Sequence, residues 1–182
     1  MQSGGREPAE DDLRLVQDFV NTLDRENGVE LFDGADGLEQ WLAYRSLPGA
    51  PVSGADVARA SELREALRAA LLANNGGPDA PEALDAITAY ARAAGLTPSF
   101  AAAGPTLGPT AGGLDAALGR VVAVAFIAMV DGRWQRLKSC PRDVCGWVFH
   151  DRSPANRGTW CSMRICGNRV KASAYYHRRT RG

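Results

Sequence analysis

At 182 residues, 45% hydrophobic and 23% charged, the chain has room for one domain of ordinary size plus a small module, with enough apolar material for a core. Its most apolar run, Val121 to Val130, is ten residues bounded by Arg120 and Asp131, too short to cross a bilayer, so a soluble, cytoplasmic protein is expected. The formal net charge of zero hides a split: residues 1–136 hold 11 basic and 19 acidic side chains, net −8, whereas residues 137–182 hold 10 and 2, net +8. An acidic body with a basic tail points to a polyanion met through the tail alone.

Taken in order, residues 1–9 read as a disordered leader and residues 10–132 as a helical domain. Leu13, Val16, Phe19, Val20 and Leu23 recur at three- and four-residue intervals, which predicts a helix from Glu10 that Gly28 can stop. Asn21 and Thr22 interrupt it with poor helix formers, bonding either local backbone or a ligand or neighbouring loop. Asp36-x-x-Glu39 resembles a capping box for a short helix with Leu38, Trp41 and Leu42 inward. Ser53-x-x-Asp56 opens a longer helix that ends at Asn74-Asn75-Gly76-Gly77, and Asp79 and Pro81 begin another that runs toward Gly95.

Between Leu96 and Gly113, Pro98, Pro105 and Pro109 exclude a helix interior and leave an extended, turn-rich segment. A last helix, roughly Leu114 to Val130, is apolar all round and therefore expected to be buried, a dimer contact being the less favoured use. From residue 133 a small module begins. Gly146-Trp147-Val148-Phe149-His150 reads as a strand, and Ser153 to Gly158 as a turn-forming loop. Trp147, Phe149 and Trp160 are expected to form its small core, with base stacking the functional alternative for one of them.

All four cysteines fall in a 27-residue window of that module, as Cys140-x4-Cys145, fifteen residues, then Cys161-x4-Cys166. Two short-spaced pairs joined by such a linker suit a tetrahedral thiolate site for Zn²⁺, each sulfur about 2.3 Å from the metal. Disulfides would need an oxidising compartment, and the leader shows no apolar signal region; bystander thiols would not cluster in this way. His150 and His177 are alternative ligands, though four thiolates close the site and make it structural rather than catalytic.

Cys166-Gly167-Asn168-Arg169, after Trp160-Cys161 and close to the C-terminus, resembles the signature of the CGNR zinc-finger family, a bacterial group associated with transcription regulation. In that family an N-terminal, largely helical ABATE domain precedes the finger, and the first ~130 residues are similar in length and layout, with Phe19-Val20-Asn21-Thr22 the best local match. The resemblance implies a mainly α fold: a helical domain with a small β-hairpin at residues 96–113, then a treble-clef-like zinc finger of hairpin plus helix over 133–182.

If residues 162–179 are helical, an advance of about 100° per residue puts Arg164, Asn168, Lys171, Tyr175 and Arg178 within about 80° of one another, with Cys166 behind them at about 200°. Arg and Lys on that face suit phosphates, and Asn can pair with adenine. Arg169 is counted with them as a candidate nucleic-acid contact, although it projects elsewhere on the wheel, at about 140°, where it could contact the body or a carboxylate. The duller reading is a solvated basic helix.

Together these readings predict a DNA-binding transcription regulator with a structural Zn²⁺ and a sensory or assembly domain. The rivals are an adaptor whose tail meets an acidic protein or its own acidic body, and an RNA binder. Catalytic motifs of the zincin, deaminase, Walker A, G-x-S-x-G and Rossmann types are missing, so an enzyme is not expected. A small-molecule effector in the body would have Asn21, Trp41 and Tyr44 as weak candidates, and a homodimer is left open.

Overall fold

The stripe of Leu13, Val16, Phe19 and Val20 forms one face of helix α1 (Leu13–Val20) and is buried, as its periodicity requires. The computed structural model describes residues 6–49 and 51–172. α1 stops well before Gly28, correcting the longer helix expected from sequence. Asp11 (φ 50) delays its start, and at its end the Thr22 hydroxyl donates to Phe19 O at 2.8 Å. Leu23 lies instead in a tiny antiparallel hairpin, β1 (Leu23–Asp24) with β2 (Val29–Glu30), whose turn uses Gly28 at φ 66.

α2 (Gly34–Tyr44) begins before Asp36, and no capping box forms there. Glu39 Oε1 accepts instead from Val52 N at 2.9 Å, fastening the approach to the next helix. That helix, α3 (Gly54–Ala73), does carry the box: Asp56 N donates to Ser53 Oγ at 3.3 Å and Ser53 N to Asp56 Oδ2 at 2.9 Å. α4 (Pro81–Ala93) starts on its proline, and β3 (Thr97–Ala101) pairs with β4 (Gly104–Gly108) as a hairpin. α5 (Gly113–Asp131) closes at Gly132 in the left-handed region.

α5 packs against α1 and α4, and α3 against α1, α2 and α4, so the body is a helical assembly with one shared core. Phe19, Phe32 and Trp41 meet there with ring centroids 5.4 to 5.7 Å apart, which makes Trp41 a core residue, while Tyr44 is 79% exposed. At 19 residues and mean hydropathy 1.9, α5 is long and apolar enough to span a membrane, contrary to the expectation drawn from the ten-residue run. Asp115 and Arg120 interrupt it, and 56% of its apolar window is buried inside the fold, with Ala117, Leu118, Val121 and Ala128 in the core.

After a 3₁₀ turn at Arg133–Arg136, β5 (Leu137–Ser139) and β6 (Val148–His150) form the hairpin of the C-terminal module, followed by a helical segment that begins at Met163. The alternation along 147–149 divides two cores. Val148 and Leu137 join the body, whereas Trp147 and Phe149 pack with the four cysteines, Trp160 and Ile165.

Side chains of the body satisfy the module's backbone. Asn21 Nδ2 donates to Val148 O and Val148 N donates to Asn21 Oδ1, both at 2.8 Å, and Gln17 Nε2 adds a bond to Val148 O at 3.2 Å. Asn74 Nδ2 reaches Trp134 O and Leu137 O, and Asn75 Nδ2 reaches Ser139 O and Thr159 O. Part of the expected disordered leader is also packed: Ala9 is buried and its N–H donates to Gln17 Oε1 at 2.6 Å, while Arg6 lies 4.6 Å from the Phe149 ring centroid. Asn21→Ala leaves the Val148 N–H unpartnered and is expected to lower unfolding stability by about 1–3 kcal/mol, measured by urea denaturation.

Candidate metal centre and its basic face

Cys140 extends the β5–β6 ladder, its N–H donating to Trp147 O at 2.9 Å, and Cys145 closes a turn in which its own N–H donates to Arg142 O at 2.8 Å. Gly146 follows at φ 57, a left-handed conformation that favours glycine, and packs against the Arg25 and Arg68 side chains of the body. The second pair stands at the start of the last helical segment. Ser162 caps it by accepting from Ile165 N at 3.3 Å, and Gly167 N donates back to Ser162 O, so residues Met163–Gly167 make a π turn rather than the α turn expected. α-Helix resumes over residues 168–172.

The four sulfurs lie within 4.8 Å of one another, and every cysteine is free and buried. Sγ of Cys161 is 3.5 Å from that of Cys166 and 3.6 Å from that of Cys145. Two sulfurs each about 2.3 Å from a tetrahedral ion are separated by about 3.8 Å, so the cluster has the dimensions of a four-thiolate metal site and is too open for disulfides. His150 is not part of the cluster, and His177 lies outside the described residues.

Crowding sets the sulfurs' protonation against one another. Hydrogen bonds from Cys145 and Cys161 hold the Cys140 thiol far below its ordinary range; those same contacts push Cys145 and Cys161 up, and burial raises Cys166. Adjacent buried thiolates repel one another, so holding all four deprotonated calls for a cation among them. Arg142 places a positive charge beside the cluster, its Nη1 directed at Cys166 Sγ at 3.6 Å. Arg142 Nη2 is in turn 2.9 Å from Glu26 Oε1, the oxygen that also holds Arg169.

A second buried pair shapes the loop between the cysteine pairs. The Asp151 carboxylate is fully buried, 2.9 Å from Lys138 Nζ, and accepts from Ser153 N and Gly158 N. Lys138 Nζ also donates to Asn156 O and Gly158 O. Burial alone would push the Asp151 carboxyl up, but Lys138 and these backbone donors outweigh it and hold it well below the usual carboxylate range. Sequence reading missed this pair, although Asp151-x-Ser153 is an Asx-turn pattern.

Of the residues expected as nucleic-acid contacts, Arg164, Asn168, Arg169 and Lys171 are exposed, and Tyr175 and Arg178 lie outside the described residues. The π turn winds more slowly than an α turn, which rotates Arg164 away from the position that an ideal wheel assigns it. Among the described cations of the module, Lys138, Arg142, Arg152 and Arg169 are ion-paired, Arg152 with Glu7 and Glu10 near the N-terminus. Of the expected effector candidates, Asn21 serves the finger. An apolar recess of about 400 Å³ lies elsewhere, between α4, α5 and the β3–β4 hairpin, lined by residues such as Leu84, Ile87, Leu107 and Phe126.

The fold and site define a helical domain joined to a four-cysteine finger, and comparison with protein families agrees. Residues 136–179 match the CGNR zinc finger, and residues 13–133 match the ABATE family, described as "Putative stress-induced transcription regulator". The chain belongs to the ABATE family and carries a CGNR zinc finger. Both descriptions are of regulator and zinc-finger types rather than enzymes. No curated protein matches the chain.

Because the folded-state pKa of Asp151 is depressed, its contribution to stability is complete above the ordinary carboxylate pKa of about 3.9 and is lost as pH falls through the lower folded value. Asp151→Asn strands a buried Lys138 and is expected to destabilise the finger by about 3–5 kcal/mol at pH 7. Denaturation curves of both proteins should show that penalty shrinking as pH is lowered toward the folded-state value.

Proposed function

We propose that this protein is a DNA-binding transcription regulator: a structural Zn²⁺ held by Cys140, Cys145, Cys161 and Cys166 shapes the finger, whose exposed Arg164, Asn168 and Lys171 meet the duplex. The observation that carries the reading is the buried four-sulfur cluster at the root of a helix that carries exposed basic side chains. Four thiolates complete the coordination of the ion, which then contributes folding energy and no open position for catalysis. Arg164 and Lys171, which have no acidic partner among the described residues, would neutralise phosphates, and Asn168 would read a base edge. A non-enzymatic, cytoplasmic role follows from that reading, with the helical body as the sensory or assembly part. The apolar recess between α4 and α5 supports an uncharged effector over a charged one.

Elemental analysis of purified protein should find one zinc per chain, falling well below that in Cys166→Ser. Binding to pooled genomic duplexes should vanish on chelation. Each phosphate neutralised adds about 0.9 to the log–log salt slope, so Arg164→Gln with Lys171→Gln should flatten it by about 1.8. Salt-insensitive binding, or none with zinc present, would remove the reading.

A further inference from the structure

Glu26 stands in the turn between β1 and β2, and one of its carboxylate oxygens, Oε1, holds two arginines of the finger, Arg142 and Arg169. The two partners are unequal. Arg142 is 14% exposed and tied through its other terminal nitrogen to Cys166 Sγ, so it cannot leave without disturbing the cysteine cluster. Arg169 is 60% exposed and lies on the helical segment beside Asn168, two positions before Lys171. A carboxylate oxygen held by guanidinium groups is a chemical stand-in for a phosphate oxygen.

We propose that Glu26 is an internal counter-anion that occupies Arg169 where a nucleic-acid phosphate would bind, so that the body itself limits the finger's affinity for polyanions. The inference rests on the DNA-binding reading given above and names how that site is regulated. Exchange is easy in one direction only. When Arg169 turns to a phosphate, Glu26 keeps Arg142 as its partner and no buried charge is stranded. Any event that draws the β1–β2 turn away from the finger frees one more cation for the duplex.

The test uses the full zinc-loaded chain and a mixed-sequence DNA duplex, with anisotropy read at several salt concentrations. Glu26→Gln is expected to tighten binding roughly threefold to fivefold at low salt and to steepen the log–log slope by about 0.9. Glu82→Gln, the same change of net charge at an exposed position on α4, should change affinity by less than about twofold. Adding Arg169→Gln to Glu26→Gln should abolish the gain. The proposal is overturned if Glu26→Gln binds no better than Glu82→Gln, or if it loses zinc, since Glu26 would then support the metal site instead. Should no variant bind duplex DNA, the DNA-binding reading fails separately, and elution from immobilised heparin decides the latch: later elution of Glu26→Gln than of Glu82→Gln supports it, equal elution overturns it.

Discussion

A three-residue strand cannot satisfy its own backbone, and β6 is such a strand. One edge pairs with β5; on the other, the N–H and C=O of Val148 are both taken by the side-chain amide of Asn21, which acts as a one-residue neighbouring strand. The rest of the C-terminal module is mounted around that grip. Val148 enters the body core because its backbone is clamped there, which turns Trp147 and Phe149 the other way, onto the cysteines. Unpaired, the same backbone groups would be buried at a cost comparable to a whole hydrogen bond each.

Buried cations tighten the junction further. Arg64 and Arg68, one turn apart on α3, are almost fully buried; Arg64 makes a two-pronged contact with Glu30 at 2.7 Å and Arg68 donates to Gly146 O and Val20 O. Desolvation lowers the Arg68 pKa, and Glu65 beside it is the main counterweight. Such charges are tolerable only where every donor finds an acceptor, so the knuckle of Cys140 and Cys145 must sit in one orientation against α3. The cluster's geometry is thus imposed from two sides, by its own turns and by the body.

Legibility in the sequence followed the range of the interactions. The spacing of the cysteines, the Ser53–Asp56 cap and the breaks after α3 and before α4 are local patterns, and the structure shows the cap and the elements where those patterns put them. The β3–β4 hairpin was readable only through family resemblance, because Pro98 and Pro105 obscure strand character. Asn21 and Asn74-Asn75 carry a local meaning, helix interruption, that conceals their role as acceptors and donors for backbone more than fifty residues away. Glu26 with Arg169, and Lys138 with Asp151, are likewise invisible in a charge count, which records a basic tail but not which of its cations are already spent. The start of α2 differs from expectation for a related reason, since Glu39 fastens the loop at Val52 instead of capping its own helix, and α1 ends early where the Thr22 hydroxyl donates to Phe19 O.

The division of charge gives the finger a direction. Acidic residues of the body meet the module at Glu26 on one flank and at Glu7 and Glu10 on another, and each contact neutralises cations that face the body. Of the described cations from Leu137 onward, Arg157, Arg164 and Lys171 have no acidic partner, and they are exposed on the loop between the cysteine pairs and on the helical segment that holds the last cysteine and runs on after it. Net negative charge on the body would repel a polyanion, whereas the unneutralised cations of the module would attract one within a Debye length of about 8 Å at physiological salt. The body therefore does more than hold the finger's strands. By pairing Arg142, Arg152 and Arg169 it lowers the module's unneutralised positive charge, so that any attraction to a polyanion would rest on the cations that remain.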